Sequence, residues 1–100
     1  MMKLIRDKIP EIMEKSGVVC NYAAIQNDEL YQTLLRQKFV EEVNEFLASG
    51  TLEELADVQT VLNALVAAKK DEFERIYADK LVERGGFDKK YIGFFNDESK

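Results

Sequence analysis

Acidic residues recur at helical spacing in two neighbouring stretches of the sequence, and they are the residues best suited to chemistry. The first stretch holds Glu41, Glu42 and Glu45, and the second holds Glu54 and Asp57. Because residues three apart on a helix project from one face, each stretch presents paired carboxylates. Carboxylate oxygens are the ligands that Mg²⁺ and Mn²⁺ prefer, and these ions leave positions for water and phosphate oxygens. Two acid pairs together predict a metal site more specifically than either pair does alone.

The composition narrows the chemistry in the same direction. The 100 residues contain no histidine and a single cysteine, Cys20. Catalysis by an imidazole base, by a Cys–His pair or by a mixed His/Cys zinc site is therefore excluded. One thiol forms no internal disulfide, so nothing indicates an oxidising compartment. Any catalysis falls to carboxylates, acting alone or with a hard metal ion.

Length, charge and hydropathy predict one folded domain over residues 1–100. Nineteen acidic residues against fourteen basic ones give a formal net charge of −5, which disfavours holding nucleic acid by its phosphates. No apolar run approaches the roughly 20 residues of a membrane span, and the charged start is unlike a signal peptide. We therefore expect a cytoplasmic protein with no nucleic-acid or membrane partner.

Local signals predict four helices that position these acids. Pro10 suits the first turn of a short helix that Gly17 ends. A cap at Asn27 or Asp28 begins a long second helix that runs to about Ala48. The remaining caps and breaks predict a third helix from Thr51 to about Ala68 and a fourth from the Asp71 cap to Gly85-Gly86.

Two other segments carry weaker β signals. Residues 18–25 are rich in β-branched and aromatic side chains, and residues 87–95 follow the double glycine. The overall prediction is a mainly α fold, an antiparallel helical bundle of about four helices. A small β-element from these two segments is an optional addition to that bundle.

The predicted helices decide how the acids lie relative to the core. On the third helix Glu54 and Asp57 share an arc with three apolar residues, Val58, Val61 and Leu65. On the second helix Glu42 borders the predicted apolar stripe, which comprises Phe39, Val40, Val43, Phe46 and Leu47. The eight residues between Glu45 and Glu54 favour antiparallel neighbours. Four carboxylates then converge in one groove, where they are costly to bury without compensation.

Ordinary structural roles for the same residues stay open at this point. A Glu-x-x-Glu pair is commonly a solvated helix face. Glu54 suits a capping box with Thr51, and Lys38 can neutralise the acids as an ion pair. Asp57 lies a full turn inside its helix, where capping does not explain it.

The order of motifs along the chain resembles a known family. The motifs are the opening Arg6-Asp7-Lys8-Ile9-Pro10, the two acid pairs E-E-x-x-E and E-x-x-D, and the close Glu83-Arg84-Gly85-Gly86-Phe87. Together they resemble the phosphoribosyl-ATP pyrophosphohydrolase-like branch of the MazG superfamily, whose members are all-α nucleoside triphosphate pyrophosphatases. The likeness extends from residue 3 to about residue 92.

The resemblance implies a helical domain that holds Mg²⁺, with Mn²⁺ as an alternative, through Glu42, Glu45, Glu54 and Asp57. Glu41 is implied as an added ligand or water-orienting acid, and either Glu41 or Glu42 is the candidate base for water. The implied reaction cleaves a nucleoside triphosphate between the α- and β-phosphates into a monophosphate and pyrophosphate. The resemblance also implies a homodimer or larger homo-oligomer, and by analogy the house-cleaning of non-standard nucleotides.

Cationic residues have to oppose the negative charge of a triphosphate. The candidates are Arg6, Lys8, Lys38, Lys80 and Arg84, although each alone is more commonly a solvated surface charge. Two other functions stay open. One is a non-catalytic helical module that binds a nucleotide or a protein, and the other is hydrolysis of phosphoribosyl-ATP itself.

Overall fold

The computed structural model describes residues 2–96, and four α-helices account for most of them. They are α1 (Ile9–Lys15), α2 (Asp28–Ser49), α3 (Leu52–Ala67) and α4 (Lys70–Arg84). The chain divides into two units, Met1–Ala68 and Lys69–Lys100, so that α1 to α3 belong to the first unit and α4 to the second. The predicted mainly α fold is confirmed for the described residues, while the single domain over 1–100 stays a prediction.

A two-residue connection makes α2 and α3 a helical hairpin. Gly50 has φ 68°, in the left-handed region that favours glycine, and its N–H donates to the Phe46 carbonyl at 2.7 Å. Thr51 then caps α3, because its Oγ1 accepts the N–H of Glu54 at 3.3 Å. A connection this short turns the chain back on itself, and α2 and α3 pack against each other.

The other helix termini follow their local signals with one exception. Pro10 lies in the first turn of α1, and Asn27 caps α2 through Oδ1, which accepts the Leu30 N–H at 2.9 Å. The prediction for α4 is wrong by two residues, because its N-cap is Lys69, which makes no side-chain cap hydrogen bond. Asp71 lies instead in the first turn of α4, where a negative charge suits the helix dipole.

The optional β-element is absent from residues 2–96. Both segments proposed for it, 18–25 and 87–95, are irregular and contain neither strand nor bridge. A strand requires a second strand to pair with its amides and carbonyls. β-Branched and aromatic residues raise the propensity for a strand without supplying that partner.

The core of the first unit lies in the contact between α2 and α3. Among the described residues of α2 and α3, the buried apolar side chains are Leu34, Leu35 and Val61, and the buried acid is Glu42 of α2. No helix among residues 2–96 is long and apolar enough to cross a lipid bilayer.

The apolar stripe predicted for α2 is only partly correct. Phe39, Val43 and Phe46 are half-buried, whereas Val40 and Leu47 are 58% and 72% exposed. The contact with α3 therefore covers a narrower arc than the sequence pattern predicts, and that arc is centred closer to Glu42.

Gly50→Ala should destabilise the protein by about 1 kcal/mol, because a side chain disfavours the left-handed backbone. A Cβ at Gly50 would meet no atom within 4 Å, so the cost is conformational and not steric. Denaturant unfolding followed by circular dichroism measures this loss. Gly86→Ala is the matched control, because Gly86 also has open space around it but no positive φ. Equal losses in the two variants would contradict the assignment.

Candidate functional site

The acids of α2 and α3 come together at the hairpin. One oxygen from each of Glu41, Glu42 and Glu45 lies within 4.8 Å of the others, and the same holds for Glu42, Glu54 and Asp57. Glu42 belongs to both groups. We call these five residues the acid cluster. The structure thus brings together every acid that the spacing singled out.

Glu42 is the buried centre of the acid cluster. Only 7% of the residue is exposed, although the sequence pattern placed it at the border of the apolar stripe. Its Oε1 lies 3.2 Å from Nζ of Lys38, but its buried Oε2 has no hydrogen-bond partner. A buried polar atom without a partner costs about 1–3 kcal/mol, and more when it carries charge. This oxygen therefore lacks a donor or a cation.

Two cations of the N-terminal segment reach the acid cluster. Nζ of Lys3 lies 2.8 Å from Oε1 of Glu41. Nη1 of Arg6 donates to Oδ1 of Asp57 at 2.8 Å, and Nη2 donates to Oγ1 of Thr60 at 3.0 Å. Of these two cations only Arg6 is predicted from the sequence, since no local pattern connects Lys3 with an acid on α2. The N-terminal segment thus contacts acids on both helices of the hairpin.

The other predicted cations lie in three places. Lys38 is the ion-pair partner that the sequence allowed, with Nζ 3.4 Å from Oε1 of Glu41 in addition to its contact with Glu42. Lys8 is exposed at the N-cap of α1. Lys80 and Arg84 belong to α4 in the second unit, so their role toward a substrate stays a prediction.

Charge is distributed unevenly within the acid cluster. The hydrogen bond between Lys3 and Glu41 raises the pKa of the Lys3 ammonium and lowers the pKa of the Glu41 carboxyl. Glu45 shifts in the opposite direction. The neighbouring Glu42 carboxyl raises the pKa of Glu45, first because a proton on Glu45 would be shared with Glu42 in a hydrogen bond and then through the charge of Glu42, with smaller contributions from burial, Glu54 and Glu41. Glu45 therefore lies on the side of the cluster where negative charge is least compensated.

The capping role of Glu54 is only half realised. Its N–H donates to Thr51, as in a capping box. The reciprocal bond would join the Glu54 carboxylate to the Thr51 N–H, but that N–H donates to Oγ of Ser49 at 3.2 Å. Capping therefore accounts for the backbone of Glu54 and not for its side chain, which lies with Glu42 and Asp57.

The donor set fits a hard divalent cation. Every candidate ligand is a carboxylate oxygen, the type that Mg²⁺ and Mn²⁺ select. Exposed acids commonly gather without an ion, so the exposed members of the cluster carry little weight. The buried Oε2 of Glu42 is stronger evidence for a metal site, because it has no hydrogen-bond partner and a cation would supply one.

No protein-family model matches this chain, and no curated protein or solved structure matches it. The likeness to the MazG superfamily therefore stays an interpretation of the motifs. The geometry of the acid cluster is the structural observation that bears on the function of this protein.

Glu45→Gln should raise the thermal midpoint of the protein in a chelator, because the amide removes one of several repelling charges. The raised pKa of Glu45 means that the folded state favours the protonated side chain. That stabilisation is present at low pH and is lost as pH rises through the folded pKa. The gain from Glu45→Gln should therefore grow with pH over the same window.

Thermal unfolding between about pH 4 and about pH 8 measures this effect. Glu74→Gln, which neutralises an exposed glutamate of α4 in the second unit, is the control for a change in net charge. If Glu45→Gln left the thermal midpoint at neutral pH unchanged or lowered it, the repulsion between Glu45 and its neighbouring carboxylates would be contradicted.

Proposed function

We propose that the protein is a Mg²⁺-dependent nucleoside triphosphate pyrophosphohydrolase. It hydrolyses its substrate between the α- and β-phosphates and releases a nucleoside monophosphate and pyrophosphate. The observation that carries the proposal is the buried carboxylate of Glu42, whose Oε2 has no partner and which belongs to both acid groups. An uncompensated charge in a helix contact is costly, and a cation-dependent reaction gives a reason to keep it. The likeness to the MazG superfamily supports the reaction class.

The acid cluster supplies the ligands for the metal. Mg²⁺, with Mn²⁺ as the alternative, is held by Glu42, Glu45, Glu54 and Asp57. When bound, such an ion neutralises charge on phosphate oxygens and lowers the pKa of water. The absence of histidine from the sequence is no obstacle, since carboxylates meet the need for both ligands and proton acceptor.

Glu41 and Glu42 have different roles in the proposed reaction. Both Lys3 and Lys38 contact Oε1 of Glu41, which leaves Oε2 of Glu41 to orient the attacking water and accept its proton. The lowered pKa of Glu41 keeps this carboxyl ionised. Glu42 lies deeper and is held by Lys38 through one oxygen, so its unpartnered oxygen would be the one to ligate the metal.

Cations around the cluster bind the triphosphate. Arg6 is held at the edge of the cluster by Asp57 and Thr60, and Lys38 lies between the two acids of α2. A guanidinium fixed in this way matches phosphate oxygens in pairs. Lys8 of the first unit is a further exposed candidate, and Lys80 and Arg84 of the second unit stay candidates from the sequence alone.

The family likeness extends the proposal to assembly and biological role. We place the protein in the cytoplasm as a homodimer or larger homo-oligomer. Its substrates would include non-standard nucleotides, whose hydrolysis removes them from the pool available for nucleic-acid synthesis.

Millimolar Mg²⁺ should raise the thermal midpoint of the protein, and at a hundredfold excess over Kd the stabilisation would be about 2.7 kcal/mol. Glu42→Gln should lose this response, because it removes the carboxylate common to both acid groups. Glu74→Gln should keep it. Sodium chloride at equal ionic strength controls for screening. A wild-type protein that Mg²⁺ does not stabilise would contradict the metal site and favour the non-catalytic module.

Incubation with Mg²⁺ and a panel of canonical and modified nucleoside triphosphates should release pyrophosphate and the corresponding monophosphate. Asp57→Asn should lower kcat by about a hundredfold or more while it preserves the fold, since the amide is a poor ligand. Product analysis by chromatography identifies the bond cleaved. Release of orthophosphate instead of pyrophosphate would contradict the proposed reaction.

Two neighbouring glutamates of α3 provide a matched comparison in the same assay. Glu54→Ala should lose activity, whereas Glu53→Ala, at an exposed position outside both acid groups, should retain it. Full activity in Glu54→Ala would contradict the site assignment. Including phosphoribosyl-ATP in the panel tests the alternative substrate, and a strong preference for it would replace the proposed substrate class.

A further inference from the structure

The first unit contains a groove of about 720 Å³. None of the five residues of the acid cluster lines it. The N-terminal segment, the irregular residues 20–25 and the beginning of α2 line this groove. Its volume lies within the range of about 300–1,000 Å³ that is typical of small-molecule sites. It is therefore large enough for a nucleoside.

Two tyrosines line the groove. Tyr22 belongs to the irregular segment and Tyr31 to the first turns of α2, and the apolar residues Ile25 and Leu34 belong to the same lining. Tyr22 is 64% exposed and Tyr31 is 37% exposed, so both rings are accessible to a ligand. Exposed tyrosines on a groove offer flat surfaces on which a heteroaromatic ring stacks.

The irregular wall also offers hydrogen-bonding groups. Within the described part of the chain, no backbone–backbone hydrogen bond uses residues 19–26. Their amides and carbonyls are therefore not used by the backbone of the fold. Asn21, which lines the groove, adds a side-chain amide that both donates and accepts. A purely apolar ligand would leave these groups unused.

Lys3 connects the groove with the acid cluster. Lys3 is one of the residues that line the groove, and its Nζ lies 2.8 Å from Oε1 of Glu41. A ligand bound here therefore lies against a lysine that is also paired with the acid cluster. Such a ligand has a planar, hydrogen-bonding end and a polyanionic end, and a nucleotide combines the two.

We infer that this groove is the subsite for the base and sugar of the substrate. Tyr22 and Tyr31 stack on the base, and Asn21 with the free backbone of residues 20–25 contacts its polar edge. Lys3 contacts the α-phosphate side of the nucleotide, where base and phosphates join. The subsite rests on the proposed function for its reaction, but its binding can be measured without any turnover.

Nuclear magnetic resonance of the full chain with Mg²⁺ tests this subsite. The probes are the α,β-methylene analogues of ATP, GTP, CTP and UTP, which resist cleavage at the proposed bond, and inorganic tripolyphosphate. At least one nucleotide should shift the amide resonances of residues 20–25, whereas tripolyphosphate should shift only those near Lys3, Arg6 and the acid cluster. Equal shifts of residues 20–25 with tripolyphosphate, or no shift there with any nucleotide, would overturn the inference.

Substitution of one tyrosine provides an independent readout. Tyr31→Ala should weaken binding of the nucleotide analogue by about tenfold and leave the Kd of tripolyphosphate within about twofold, since only the stacking surface is lost. Tyr31→Phe should bind like the wild type because it keeps the ring. Tyr77→Ala, an equally truncating change at an exposed tyrosine of α4, is the matched control. Unchanged nucleotide affinity in Tyr31→Ala would overturn the inference.

The two proposals fail in distinguishable ways. Nucleotide-specific shifts in residues 20–25 without release of pyrophosphate from any triphosphate would support the subsite and refute the enzyme. Release of pyrophosphate with the same KM in wild type, Tyr31→Phe and Tyr31→Ala would support the enzyme and refute the subsite.

Discussion

Glu42 carries a carboxylate into the contact between α2 and α3, and the neighbouring residues have to compensate it. Lys38 does so for one oxygen at 3.2 Å, while the other buried oxygen has no partner. The cost of an unpaired buried charge exceeds what a typical hydrogen bond contributes. Within residues 2–96, α2 and α3 bury only three apolar side chains, and Glu42 is as buried as they are. A hairpin selected for stability alone would gain by replacing Glu42 with an apolar residue.

The ion pairs of the N-terminal segment are better explained by positioning than by stability. The side chains of Lys3 and Glu41 are 51% and 33% exposed, and those of Arg6 and Asp57 are 59% and 37% exposed. Exposed pairs of this kind contribute about 0–1 kcal/mol. Their geometric consequence is larger, because they fix two cations beside the acids of both helices. In the proposed reaction these cations face the phosphates, and Lys3 also faces the nucleoside groove.

Local signals in the sequence predict the helices well, and contacts between distant residues account for what they miss. Asn27, Gly50 and Thr51 form hydrogen bonds with residues three or four positions away, so the helix ends at these residues can be predicted from the sequence. The depth of Glu42 depends on which arc of α2 meets α3, and periodicity alone leaves that arc uncertain by one or two positions. The contact of Lys3 with Glu41 joins a segment without regular structure to a helix, and no spacing rule encodes it.

Departures from what stabilises a helical hairpin fall within one cluster. Asp57 is a mediocre helix former inside α3, the Glu54 side chain does not complete its capping box, and Glu42 is a buried acid. The raised pKa of Glu45 adds unrelieved repulsion between carboxylates. The N-terminal caps of α2 and α3 and the hairpin connection, by contrast, agree with local propensity. Because natural sequences tolerate such conflicts mainly where function requires them, their concentration at four of the five acids supports the proposed functional site independently of any family likeness.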